Sequence, residues 1–130
     1  MKAVWLRCAL GAAVLVAAAS LPSCMHERKL VKITVQPSEA FFGSPNPDAQ
    51  IIFTALGGYI HPPDTRDITD QVTWKSDIPQ LLTVNKGVVS PTGAGCGIVN
   101  IFASMKQDGN LVTGSATITI KDPNDSNCPE

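Results

Sequence analysis

The segment from Asp67 to Gly95 constrains the fold most, because its apolar residues recur every second position in runs too short for a helix. Val72-Thr73-Trp74-Lys75 alternates apolar and polar, the period of a strand with one buried face. Val72 and Trp74 point one way, and Thr73 and Lys75 the other. Ser76-Asp77-Ile78-Pro79 ends the pairing, since Pro79 has no N–H and Ser and Asp favour local side-chain bonds. Leu82-Thr83-Val84 is a second short strand. Asn85-Lys86-Gly87 is a tight turn in which Gly87 takes positive φ without steric cost. Val88-Val89-Ser90 returns, and Pro91 to Gly95 is a Gly-rich loop.

The rest of the chain from about Val31 repeats this grammar. Val31, Ile33 and Val35 form an inward set, interrupted at Pro37 as an edge strand allows. Phe41-Phe42-Gly43 is expected to cross between sheets, and Ser44 to Asp48 is a turn cluster. The strand from Ala49 to Leu56 has two apolar faces, Ile51/Phe53/Ala55 and Ile52/Thr54/Leu56, so its inner side stays open. Gly57-Gly58 suggests a bulge or bend, with Tyr59-Ile60 continuing beyond it. His61 to Asp70 is a polar loop. Val99, Ile101 and Ala103 alternate, Asp108-Gly109 marks a hairpin, and Ala116, Ile118 and Ile120 return. These signals predict about seven strands in an all-β Greek-key sandwich. Its core would be Ile33, Val35, Phe53, Ala55, Val72, Trp74, Leu82, Val84, Val99, Ile101, Ile118 and Ile120. Trp74 is the expected core anchor; the competing reading is an exposed platform for stacking a sugar ring.

The run VTWKSDIPQLLTVNKGVVSPTGAG, followed by another strand, resembles the bacterial Ig-like domain of group 2. Trp-x-Ser on the third strand, a Pro-containing corner, a short Val-rich strand, a Gly turn and a Gly before the penultimate strand carry the likeness. It spans about Val31 to Ile120 and departs at Cys96-Gly97, where small or hydroxyl residues are usual. That family is structural and adhesive. The resemblance therefore implies an Ig-like sandwich over residues 31–121, a binding or spacer role, and no catalytic residues.

Residues 1–23 have the composition of an export signal, expected as a helix. Lys2 and Arg7 open it, and the apolar stretch from Cys8 to Ala19 is about twelve residues, short of the roughly 20 needed to span a bilayer. Leu21-Pro22-Ser23-Cys24 resembles the lipobox of bacterial lipoproteins, in which the cysteine is lipidated and becomes the new N-terminus. Ordinary cleavage after Ala17-Ala18-Ala19 or Ser20, giving a free secreted protein, is the rival, and an uncleaved membrane anchor is a third reading. Cysteine parity bears on the choice: a lipidated Cys24 leaves Cys96 and Cys128 as one pair, whereas an unmodified one leaves an odd thiol. Residues 24–30 would then be a short spacer at the membrane. Met25 is not the Asp that marks inner-membrane retention in enteric lipoproteins, so the likeness implies an outer-membrane anchor in the cell envelope.

The hairpin also bears on Cys96 and Cys128. A turn near Asp108-Gly109 sets Gly97 opposite Ile120, so Cys96 and the start of the polar tail, residues 122–130, share one end of the sandwich. A disulfide there closes a loop of about 33 residues and stabilises by roughly 3–4 kcal/mol on the chain-entropy model. Two free thiols are the alternative.

Chemistry-bearing constellations are sparse. The mature chain holds eight basic and eleven acidic residues, a balance that argues against nucleic acid, and no basic cluster is visible beyond the spacer. Asp64, Asp67 and Asp70 could hold a hard cation, but their spacing is not that of a Ca²⁺ loop, and a solvated turn explains them as well. His26 stands alone in the spacer, and His61 beside two prolines reads as an exposed loop residue rather than a catalytic base. No catalytic, cofactor-binding or metal-ligating residue is assigned, and the expectation is a non-enzyme without cofactors. Its partners would be the membrane, through a lipid, and a protein or glycan. His61 to Asp70 and Lys106 to Asn110 are the expected contact surfaces. A soluble carbohydrate-binding module using Tyr59, Asp64 and Asp67 is the second reading.

Overall fold

In the computed structural model, residues 27–130 can be described, and every regular element among them is a strand. The export signal and Cys24 lie outside the described residues. The strands are β1 (Lys29–Gln36), β2 (Glu39–Phe42), β3 (Ile51–Ile52), β4 (Thr54–Ile60), β5 (Asp64–Asp67), β6 (Thr73–Ser76), β7 (Leu82–Asn85), β8 (Val88–Pro91), β9 (Gly97–Gln107) and β10 (Asn110–Ile120). They form a four-stranded sheet, β2-β10-β9-β6, and two three-stranded sheets, β1-β4-β5 and β3-β8-β7. The all-β, layered arrangement is that of a β-sandwich.

Ten strands appear where about seven were expected, for three reasons. The strand expected from Ala49 to Leu56 changes partners at Phe53, whose N–H donates to the Gly87 carbonyl (2.7 Å). Before that residue the chain pairs with β8, and after it with β1 and β5. Phe53 is fully buried at this switch. The crossing between layers falls at Pro37-Ser38 rather than Phe41 to Gly43, so Glu39–Phe42 is itself a strand, parallel to β10. Bonds from Thr117 N–H to Ser38 O (3.0 Å) and from Lys121 N–H to Phe42 O (2.8 Å) bracket that pair. Asp64–Asp67 is an edge strand on β4, not part of a loop.

The open face of the Ala49 to Leu56 strand is resolved. Phe53 and Ala55 turn inward, and Ile52 is 73% exposed. Val31 departs from its expected inward position. A bulge between Leu30 and Lys32 shifts the register there, so Leu30 is buried and Val31 is 48% exposed. Gly57 and Gly58, by contrast, sit in regular pairs with Ile33 and Lys32.

Both predicted turns form. Lys86 and Gly87 have φ of 48° and 82°, and Asp108 and Gly109 have 51° and 79°. These are the left-handed pairs that two-residue hairpins of this twist require. The second turn sets Gly97 opposite Ile120, as the sequence predicts. The core includes Ile33, Val35, Phe53, Ala55, Val72, Leu82, Val99, Ile101, Ile118 and Ile120 as expected, joined by Leu30, Phe42, Ile68 and Val89. Gly114 lies against the backbone of Ile33, so β10 and β1 approach to within van der Waals contact of bare main chain.

Trp74 departs from expectation in degree. It faces inward opposite Ala103, but on the edge strand β6, and it is half-buried against the core rather than sealed within it. Val84 is likewise half-buried.

Candidate functional site

Of the two segments expected to make contacts, the beginning of His61 to Asp70 and the Lys106 to Asn110 tip lie at one end of the molecule, whereas Asp67 and Ile68 have run back along β4 to Leu56 and Ala55. Lys29 pairs with Ile60, next to the turn at His61 to Pro63. The Gln107 side chain clamps the hairpin tip to the same place, its Oε1 accepting from the Leu30 N–H and its Nε2–H donating to the Arg28 carbonyl (2.9 Å). The entry of the chain, the β4–β5 turn and the β9–β10 tip therefore form one surface. No single stretch of sequence contains it; the strand register assembles it.

Two carboxylates of the β4–β5 segment, Asp64 and Asp67, are held by local partners. The Asp64 carboxylate accepts from Arg66 Nε (2.8 Å) and lies 3.5 Å from an Arg28 guanidinium nitrogen. Asp67 Oδ1 accepts from the Thr69 backbone N–H (3.0 Å) and hydroxyl (2.6 Å). These two bonds, the hydroxyl's first, hold the Asp67 carboxyl below the ordinary carboxylate range. Asp64, Asp67 and Asp70 do not converge on a common point. Among the described residues, the one group of ligand atoms that does is Cys96, Asp125 and Cys128. Its two sulfurs are bonded to each other.

Thr69 has a role that the sequence did not signal. Its hydroxyl accepts from the Ala55 N–H (3.0 Å) while donating to Asp67, and its carbonyl accepts from the Trp74 indole N–H (2.9 Å). One residue thus joins β4, the exit of β5 and the indole. A side chain that can accept and donate at once is needed there, which Thr supplies.

Trp74 also lines a shallow groove of about 350 Å³ with Lys75, Ser76, Pro79, Leu82, Thr83 and Val84, between the edges of β6 and β7. Its indole N–H is already bonded, so the exposed part offers ring surface only. Tyr59, expected as an exposed aromatic for a sugar, is instead half-buried against the core, with its ring edge over Gly57.

Cys96 and Cys128 are joined, with Cα atoms 5.7 Å apart. The tail reaches back through two tight turns, Asp125 N–H to Asp122 O (3.1 Å) and Cys128 N–H to Asp125 O (3.2 Å). Asp122 and Asp125 side chains cap these turns from Asn124 and Asn127. No protein-family model and no curated protein matches this chain.

Proposed function

We propose that this chain is an exported, non-catalytic Ig-like module, held on the bacterial envelope by lipid on Cys24 and serving as a binding or structural element. The observation that carries this reading is the pairing of Cys96 with Cys128. Disulfides persist in oxidising compartments. With these two cysteines spent on each other, a chain processed before Cys24 contains no further cysteine with which Cys24 could pair. Its position after Leu-x-Ser then favours lipid attachment.

Strand order supports the Ig-like, Greek-key part of the reading. β6 and β9 are neighbours, although β7 and β8 intervene in sequence and pair in another sheet. The spent carboxylates of Asp64 and Asp67 and the packed ring of Tyr59 weigh against the soluble sugar-binding alternative.

Intact-mass analysis of the protein from a membrane fraction tests the anchor. The expected species begins at Cys24 with two or three acyl chains. A mature chain starting at Ser20 or Leu21 would overturn the lipoprotein reading.

A further inference from the structure

We infer that the chain-entry end is a docking face for anionic phospholipid headgroups, so that the domain stands end-on against the bilayer to which Cys24 tethers it. The orientation rests on the lipid-anchor reading; the headgroup affinity does not.

Charge is divided unequally over the fold. Residues 27–32, 57–66 and 105–112, which meet at this end, carry five basic side chains (Arg28, Lys29, Lys32, Arg66, Lys106) against three acidic ones (Glu27, Asp64, Asp108). The rest of the described chain carries three basic and eight acidic. A protein of negative net charge thus has one positive pole, built from residues up to 78 positions apart. Asp64 is already neutralised by Arg28 and Arg66. Lys29, Lys32 and Lys106 are exposed and, among the described residues, have no carboxylate partner.

An exposed apolar side chain stands beside the lysines of each layer. Val31 is turned outward between Lys29 and Lys32 by the bulge. Leu111 is 65% exposed and lies directly across the hairpin from Lys106. Basic residues bracketing exposed aliphatic ones match the boundary between headgroups and acyl chains, where both kinds of group find partners.

Tether length places this end within reach. Four residues separate Cys24 from the start of β1. Fully extended, the five Cα steps from Cys24 to Lys29 span at most roughly 18 Å, less than the length of β1 itself, so this end stays nearest the ~8–10 Å layer over which a surface charge is felt at physiological salt. A lipid on Cys24 therefore presents this pole, and not the acidic remainder, to the membrane.

The test uses residues 24–130 carrying Cys24→Ser, with the disulfide formed, so that no acyl chain contributes. Co-sedimentation is measured with vesicles of phosphatidylcholine alone and with 30% phosphatidylglycerol (about this content suffices for a strong surface potential). The expected result is salt-sensitive binding to the anionic vesicles only. The triple variant Lys29→Glu/Lys32→Glu/Lys106→Glu should lower it by about tenfold or more. Lys75→Glu/Lys86→Glu, away from this end, should leave it unchanged, and circular dichroism confirms that each variant is folded. Equal binding to both vesicles, no binding at low salt, full retention by the triple variant, or preference for duplex DNA over vesicles would each overturn the inference. Failure of the anchor shows separately, in the mass of the N-terminus.

Discussion

Replacing Gly114 by alanine tests how the two layers meet. A Cβ at this position would lie 2.9 Å from the Ile33 carbonyl carbon and closer still to its oxygen, with Ile33 Cγ2 at 3.0 Å. Ordinary Cβ contacts begin near 3.4 Å, so the clash is with main chain by half an ångström or more. Neither side can yield alone. Ile33 is paired to Gly57 in β1-β4, and Gly114 is paired to Ala103 in β9-β10. Relief requires the layers to separate locally, loosening Leu30, Ile33 and Ala116 beside them. Overpacking of this kind costs about 1–3 kcal/mol, a large share of the 5–15 kcal/mol typical of a domain. Two glycines calibrate the result. Gly109 has open space but a φ of 79°, so Gly109→Ala should cost about 1–2 kcal/mol through backbone strain alone. Gly43 has neither constraint, and Gly43→Ala should fall within about 0.5 kcal/mol of the parent. Urea unfolding followed by circular dichroism gives the comparison. Gly114→Ala should lower the midpoint by about 1 M for a protein of this size. A midpoint for Gly114→Ala indistinguishable from that of Gly43→Ala would refute the close approach of β1 and β10.

Phe53→Ala should destabilise by about 3–5 kcal/mol and exceed Trp74→Ala, because Phe53 is sealed and Trp74 is only half-buried; the reverse order in urea melts would contradict the placement of the indole. Trp74→Phe keeps much of the ring contact but deletes the bond to Thr69, and should cost roughly 1 kcal/mol. Cys128→Ser should cost roughly 3–4 kcal/mol and release the tail while the β9–β10 ladder keeps its amide protection, read by hydrogen exchange. Because the Asp67 pKa is lowered on folding, its contribution is complete above the unfolded carboxyl value and disappears as pH falls through the folded one. Asp67→Asn should therefore lower stability at neutral pH and flatten its decline in acid. An unchanged acid limb would show that the Thr69 bonds do not form.

Much of the fold was legible because strand signals are local. Alternation needs only neighbouring residues, and the Asp108-Gly109 and Lys86-Gly87 turns need only backbone freedom at fixed positions. The hairpin register then followed by counting, which placed Gly97 opposite Ile120 and brought Cys96 and Cys128 to one end. Val31 was misplaced because a bulge is decided by what lies across the strand. A residue's own neighbours do not record that it has no counterpart on the strand opposite, as Val31 has none between Tyr59 and Gly58. Asp64 to Asp67 looked like a loop because an exposed edge strand with charged side chains on both sides has no apolar period to detect.

Strand grammar and the two left-handed turns are written locally along the chain, since each depends on residues within a few positions of one another, and the cysteines are there to be counted. Which charges meet follows from how the strands pair in space. Arg28, Lys32, Arg66 and Lys106 are ordinary solvated residues along the chain, and antiparallel register alone gathers them into one pole. The tertiary structure also decided how deeply Trp74 sits: alternation gives the direction of a side chain, but the depth depends on whether another strand covers it, and β6 lies at a sheet edge.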